Sequence, residues 1–207
     1  MKIEYYLSLN SPWTYLGSAR LRGLIAQYEV ALEAKPCRFG AVFSATGGLP
    51  LAKRAKERQS YRLMELARWR DELNPSLILQ PKHFPSDETM GSHLVIAAQN
   101  VGVDAVGLSA EIGRSLWEQD LDIGDWSVLQ SAAARLELDA DDIRANGPTG
   151  SACEEILEQN VKDAVARGVF GAPSYVFEDG EIMWGQDRLH FVEKKLESCG
   201  RFDRLTI

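Results

Sequence analysis

Ser11-Pro12-Trp13-Thr14 sits between two runs of opposite periodicity. Before it, Ile3, Tyr5, Leu7 and Leu9 alternate with Lys2, Glu4, Tyr6 and Ser8, the period of a strand with one well-buried face. After it, Leu21, Leu24, Ile25 and Tyr28 fall at i, i+3, i+4 and i+7, the apolar stripe of an amphipathic helix over Trp13–Tyr28. Proline is favoured at a first helical position and serine just before it, so Ser11 reads as the helix N-cap. Val30, Leu32 and Ala34 then alternate again before Pro36. The first forty residues therefore form a strand–helix–strand unit, with two hydroxyl side chains, Ser11 and Thr14, at the helix entrance.

The bulk composition narrows the function classes. A chain of 207 residues holds one large domain, or one domain with a sizeable insertion. Its hydrophobic fraction of 45% and mean hydropathy of −0.22 are those of a globular protein in water. A net charge of −7 and a pI near 5.1 argue against a general nucleic-acid surface. The basic run Lys53-Arg54-Ala55-Lys56-Glu57-Arg58 reads as the solvated face of a helix or as a local basic patch. No apolar stretch approaches the ~20 residues of a membrane span, and the first residues enter a strand without a signal-peptide core. Cys37, Cys153 and Cys199 are far apart and odd in number, the pattern of reduced thiols in a cytoplasm. His83, His93 and His190 have no second ligand at metal-binding spacing, so a metal site is not expected and His83 reads as structural.

The middle of the chain changes character. Ala52–Arg70, Met90–Val101, Ala105–Gln119 and Asp125–Leu136 read as helices, with Met90, Leu94, Ala97, Ala98 and Val101 on one face of the second. Asn146-Gly147-Pro148-Thr149-Gly150 breaks the chain. A helix follows that carries Ile156, Leu157, Asn160, Val161, Ala164 and Val165 on one side and ends at Gly168. Ser174–Phe177 and Glu181–Trp184 flank the turn Asp179-Gly180 as a hairpin, and Asp187–Leu196 closes as a helix. The expected layout is a thioredoxin-like α/β domain from residues 1–45 and 160–207, interrupted by a large all-helical insertion over 46–159.

Three segments in this order resemble a known family: Ser11-Pro12-Trp13-Thr14-Tyr15-Leu16, Gly168-Val169-Phe170-Gly171-Ala172-Pro173-Ser174-Tyr175 and Trp184-Gly185-Gln186-Asp187-Arg188-Leu189. Weaker matches are Gly40–Gly47, Ala67-Arg68-Trp69 and His83-Phe84-Pro85. The family is that of the glutathione-dependent 2-hydroxychromene-2-carboxylate isomerases and the related kappa-class glutathione transferases. The resemblance covers nearly the whole chain and implies a DsbA-like thioredoxin fold with a helical insertion. Relatives with redox activity carry Cys-x-x-Cys where this chain has Ser11 and Thr14. A hydroxyl there cannot exchange disulfides, but it can donate to the thiolate of a bound cofactor.

The resemblance implies glutathione as cofactor, a small conjugated aromatic substrate and a homodimer. Ser11 is then the catalytic residue, and its roles as N-cap and as donor to sulfur are compatible. Ala172-Pro173 is a plain trans proline opening a strand on sequence grounds alone; the resemblance implies a cis peptide against which a cysteinyl ligand docks. Asp187 suits a helix cap, whereas the resemblance has Gln186 and Asp187 grip the γ-glutamyl end of glutathione. Trp13 and Phe43 are core residues or the floor of an aromatic substrate pocket, and Trp13 also belongs to the implied cofactor site. Two further cofactor positions depart from the family pattern: its asparagine is Gly48 here, and its lysine is Arg58. Restoring the asparagine by Gly48→Asn is expected to tighten glutathione binding by about 0.5–1.5 kcal/mol, the net worth of one hydrogen bond. The implied reaction is cis–trans isomerisation of a conjugated aromatic 2-oxo acid. Permanent conjugation by a kappa-like transferase and a non-catalytic thiol-peptide binding module are the alternatives.

Overall fold

The computed structural model describes residues 1–203. Strand β1 (Lys2–Leu7) runs into helix α1 (Pro12–Tyr28) and returns as β2 (Ala31–Pro36), parallel to β1, with Ile3 opposite Leu32 and Tyr5 opposite Ala34. The C-terminal hairpin β3 (Ser174–Phe177) and β4 (Ile182–Trp184) adds to the other side, β3 antiparallel to β1 with Tyr5 opposite Tyr175. The four-stranded sheet therefore has the order β2-β1-β3-β4. Asp179-Gly180 forms the hairpin turn: Gly180 takes φ 87° and the Asp179 carboxylate accepts from the Glu181 N–H.

Alternation predicts one buried face for β1, and the structure buries both. Ile3, Tyr5 and Leu7 enter the main core beneath α1, with Tyr5 stacked on Tyr175 at a centroid distance of 5.5 Å. Tyr6, fully buried, enters a second core with Phe39, Val42, Ala164, Val169 and Val176. Its phenol keeps a partner by donating to Glu4 at 2.9 Å. A polar-tipped aromatic imitates an exposed position in a sequence pattern while filling an apolar layer. The second core is built by α2 (Phe39–Thr46) and α8 (Ser151–Arg167), so the sheet has helices on both faces. Helix α2 escapes periodicity because it is eight residues long; Gly47, at φ 78°, ends it.

The helices between β2 and β3 continue with α3 (Lys56–Leu73), α4 (Thr89–Asn100), α5 (Ala105–Trp117), α6 (Trp126–Ala134) and α7 (Ala140–Asn146). The expected Ala52–Arg70 helix is split: a 3₁₀ turn covers Leu51–Lys53, and Arg54 and Ala55 are extended before α3 begins. The short α7 is too brief to show an apolar stripe in the sequence; the Asp139 carboxylate caps it by accepting from the Asp141 and Asp142 N–H groups. Met90 and Val165, expected to face inward, are exposed. The final helix α9 (Leu189–Asp203) starts two residues later than expected, behind a 3₁₀ turn at Gln186–Arg188.

That turn lies tightly on α1. A Cβ at Gly17 would stand 2.9 Å from Gln186 Cβ and 3.5 Å from its Cα. Gly17→Val should push the turn off the helix and destabilise the protein by about 1–3 kcal/mol, the usual cost of overpacking. For a protein of this size each kcal/mol lowers Tm by about 2–4 °C. An unchanged melting temperature would show that the contact is not tight in solution.

Candidate active site

Ser11 stands at the entrance of α1 with φ −83° and ψ 117°, outside the helix, and its Oγ accepts from the Thr14 N–H at 3.2 Å. Its hydroxyl hydrogen has a poorer use. The acceptor in reach is the Ala172 carbonyl at 3.5 Å, the far limit of a hydrogen bond. The proton of Ser11 is thus nearly free for another acceptor. The Ala172-Pro173 peptide is cis, as the resemblance implies. Ala172 is half-buried, and its N–H finds no acceptor among the described residues. Pro173 is held behind it by the Gly185 N–H, which donates to its carbonyl at 2.9 Å. Ser11 and Ala172, far apart in sequence, therefore present an O–H and an N–H from facing loops. Thr14, the second hydroxyl of the motif, is buried, its Oγ1 without a partner, so it does not share this role.

The first turn of α1 carries no acidic residue, which leaves the positive end of the helix dipole uncompensated there. Trp13 at this turn is half-buried and packs on the main core. Gln186 is buried, and both its backbone and its side-chain carbonyl accept from Arg20. Its amide oxygen thus anchors the 3₁₀ turn to α1. Asp187 lies inside that turn and does not cap α9; its carboxylate, half-exposed, meets Arg188 at 3.1 Å.

Phe43 and Gly48 meet one another. A Cβ at Gly48 would lie 2.6 Å from Cδ1 of the Phe43 ring, and the left-handed backbone belongs to the neighbouring Gly47. The expectation that Gly48→Asn adds a cofactor contact therefore meets an obstacle: the new side chain must first displace an aromatic ring. Arg54 covers that ring at 5.9 Å and donates to the Leu49 carbonyl. Arg58 stands exposed in the first turns of α3, one helical turn before Arg62.

Glu88 was not anticipated from sequence. It precedes α4, and its carboxylate folds back onto the turn that carries Ser11, accepting from Ser8 Oγ at 2.8 Å and from the Asn10 N–H at 3.0 Å. Burial raises its pKa above the ordinary glutamate value, and the hydrogen bonds from Asn10, Ser8 and Leu9 offset only part of the shift. Next to it, Asn10 and Ser86 exchange two hydrogen bonds: Nδ2 to the Ser86 carbonyl at 2.9 Å and the Ser86 N–H to Oδ1 at 3.0 Å. The signal was present in Asn10 and Glu88, but their pairing spans almost eighty residues. Cys37 is buried with its thiol pushed up to about 12, so at neutral pH it is an inert apolar side chain.

A model of the DSBA-like thioredoxin domain matches residues 2–197 of this chain. The chain belongs to that family. Two relatives carry the same name, 2-hydroxychromene-2-carboxylate isomerase. The protein of Sphingobium xenophagum is 27% identical over 197 residues, covering 94% of this chain and 97% of its own. That of Pseudomonas putida is 24% identical, covering 95% of this chain and 94% of its own. The solved structure of a 2-hydroxychromene-2-carboxylate isomerase superposes with a TM-score of 0.79 at 22% identity and covers all of both chains. A cytosolic disulfide reductase DsbM from Pseudomonas aeruginosa, solved with GSH, gives a TM-score of 0.65 at 16% identity, over 95% of this chain and all of its own. These likenesses establish a DsbA-like fold. No described helix is long and apolar enough to cross a membrane.

Two outcomes follow for this DsbA-like chain. The raised pKa of Glu88 means that the folded state holds its proton more tightly than the unfolded state. Its contribution is therefore most favourable below the unfolded value near 4.3 and is lost as pH rises through the folded value. Urea unfolding of wild type and Glu88→Gln should show wild type losing stability relative to the variant as pH rises above the ordinary glutamate value; parallel curves would mean the carboxylate is solvated. Gly48→Asn should lower Tm by a few degrees through displacement of the Phe43 ring, at a cost of about 1–3 kcal/mol. A Tm equal to wild type would show that the loop moves aside freely.

Proposed function

We propose that this chain is a glutathione-dependent isomerase acting on a conjugated aromatic 2-oxo acid, with Ser11 as its catalytic residue. The observation that carries the reading is the Ser11 hydroxyl, fixed at a helix N-terminus yet nearly without an acceptor of its own. The name shared by the two relatives supports the isomerase class and the carboxylated bicyclic substrate.

The donor set fits a cysteinyl peptide. The Ser11 O–H would meet its sulfur, the free Ala172 N–H would meet a backbone carbonyl beside it, and the half-exposed Asp187 carboxylate, now paired with Arg188, would accept from its ammonium group. When bound, glutathione would supply a thiolate that adds to a C=C bond conjugated to a carbonyl and leaves after rotation about the resulting single bond. The work of the protein is to keep that sulfur ionised. A free thiol with a pKa of about 8.5 is only a few per cent thiolate at pH 7. A drop of two units corresponds to about 2.7 kcal/mol. A helix N-terminus supplies about 0.3–2 kcal/mol and one charge-assisted hydrogen bond about 1.5–3 kcal/mol. Both are needed, and Ser11 brings them to one point. Trp13 and Phe43, both half-buried, would line the approach of an aromatic substrate.

Replacing Ser11 with Gly, which costs a helix cap only a few tenths of a kcal/mol, isolates the hydroxyl. Turnover should fall roughly 10- to 100-fold, following the 1.5–3 kcal/mol of the lost bond, while the glutathione dissociation constant changes little. The pKa of bound glutathione, followed by thiolate absorbance, should rise by about one to two units. An unchanged pKa would reduce Ser11 to a helix cap and overturn the proposal. A product that retains glutathione would assign the chain to the transferase reading.

A further inference from the structure

The segment Lys53–Arg62 carries five cations, Lys53, Arg54, Lys56, Arg58 and Arg62, against the single acid Glu57 in a chain of net charge −7. Several other arginines in this protein are paired with carboxylates, among them Arg22 with Asp104, Arg38 with Glu154 and Arg167 with Glu4. None of these five cations has a carboxylate within 4 Å among the described residues. Arg62 stands out further because it is half-buried and donates no hydrogen bond there. Its guanidinium lies over Phe84 at 5.3 Å and over Trp117 at 5.9 Å, two rings that themselves pack at 5.0 Å. Stacking uses the flat face of a guanidinium and leaves its N–H edge open.

Such an arrangement is unfavourable in isolation, since partly buried charges are normally paired. Desolvation and the positive field of Arg54 both lower the Arg62 pKa, to about 10, yet leave it charged at neutral pH. Arg54 in turn is lowered by desolvation and by Arg58. Mutual repulsion of this kind is relieved when an anion binds between the donors. The aromatic neighbours fix which anion. Trp117 is fully buried and backs the half-buried Phe84 beside Arg62, and the half-buried Phe43 lies under Arg54, so two partly exposed aromatic rings flank the cations, a setting that suits a planar aryl body carrying a forked, two-oxygen acceptor. A short chain of contacts links the position to the turn that carries Ser11. Phe84 is two residues from Ser86, a reach of at most about 7 Å, and Ser86 exchanges hydrogen bonds with Asn10.

We propose that Arg62, seconded by Arg54, is a carboxylate subsite that takes the acid group of an aryl substrate and so orients its conjugated bond toward Ser11. The orienting role rests on the isomerase reading above, whereas the subsite itself does not. A carboxylate at Arg62 has two sources, the aromatic acid or glutathione itself, and binding measured with each alone separates them.

The experiment titrates trans-cinnamate, methyl trans-cinnamate and glutathione separately into wild type, Arg62→Met and Arg62→Lys, by calorimetry, after melting curves confirm folding. The expected result is cinnamate binding to wild type, weakened at least tenfold in Arg62→Met and less in Arg62→Lys. The uncharged ester should bind wild type and Arg62→Met alike, and the glutathione dissociation constant should stay within twofold. Absence of cinnamate binding to wild type, or equal binding by Arg62→Met, overturns the proposal. Loss of glutathione affinity in Arg62→Met with cinnamate unaffected overturns it too, by assigning the cation to the cofactor. Arg62-dependent cinnamate binding in a protein that takes up no glutathione would retain the subsite and reject the isomerase reading.

Discussion

The antiparallel pairing of β1 with β3 is the constraint on which the site depends. Tyr6 opposes Ser174, so the residues that follow β1 and those that precede β3 must leave the sheet at the same end. One exit turns into the N-terminus of α1, and the other is the Ala172-Pro173 loop. Ser11 and Ala172 face each other because a hydrogen-bond ladder four residue pairs long has brought them there. Burial of β1 on both faces makes that ladder difficult to shift. A one-residue slip would exchange Tyr5 and Tyr6 between two differently shaped cores, and each tyrosine is fixed in its own, one by stacking and one by a bond to Glu4.

The helices between β2 and β3 contribute more than bulk. Glu88 and Ser86 reach the turn at Ser8–Asn10 and saturate its backbone and side-chain polar groups. A turn that positions a helix cap is ordinarily among the more mobile parts of a fold. Here it is clamped by a carboxylate that itself was costly to bury, and the cost is accepted where the geometry of one hydroxyl matters. Arg20 does the corresponding work on the other side by holding the Gln186 turn against α1.

The strands and the long helices were legible because their periodicity was sustained over several turns or alternations. What periodicity missed has physical reasons. Tyr6 reads as polar yet fills a core, α2 and α7 are too short to show a stripe, and Arg54-Ala55 interrupts a run of good helix formers without a glycine or proline to announce it. At the site, Ser11 and Pro173 could be named from local motifs. The inward turn of Gln186 could not, since it depends on Arg20 from another helix. Glu88 was out of reach for the same reason: its partners are set by the fold and not by neighbours in sequence. Gly48 illustrates the converse, a substitution that looks like a lost contact until Phe43 is seen to occupy the space.

The buried thiol of Cys37 has a use of its own. With its pKa pushed up to about 12, only about one molecule in 10⁵ carries a thiolate there at pH 7. Modification by an alkylating reagent must then wait for the helices on that face of the sheet to part, and the exposed thiol reacts as an ordinary one. The rate of Cys37 labelling is therefore a clock for local opening of the α2–α8 layer. It runs without any engineered probe, on the face of the sheet opposite α1.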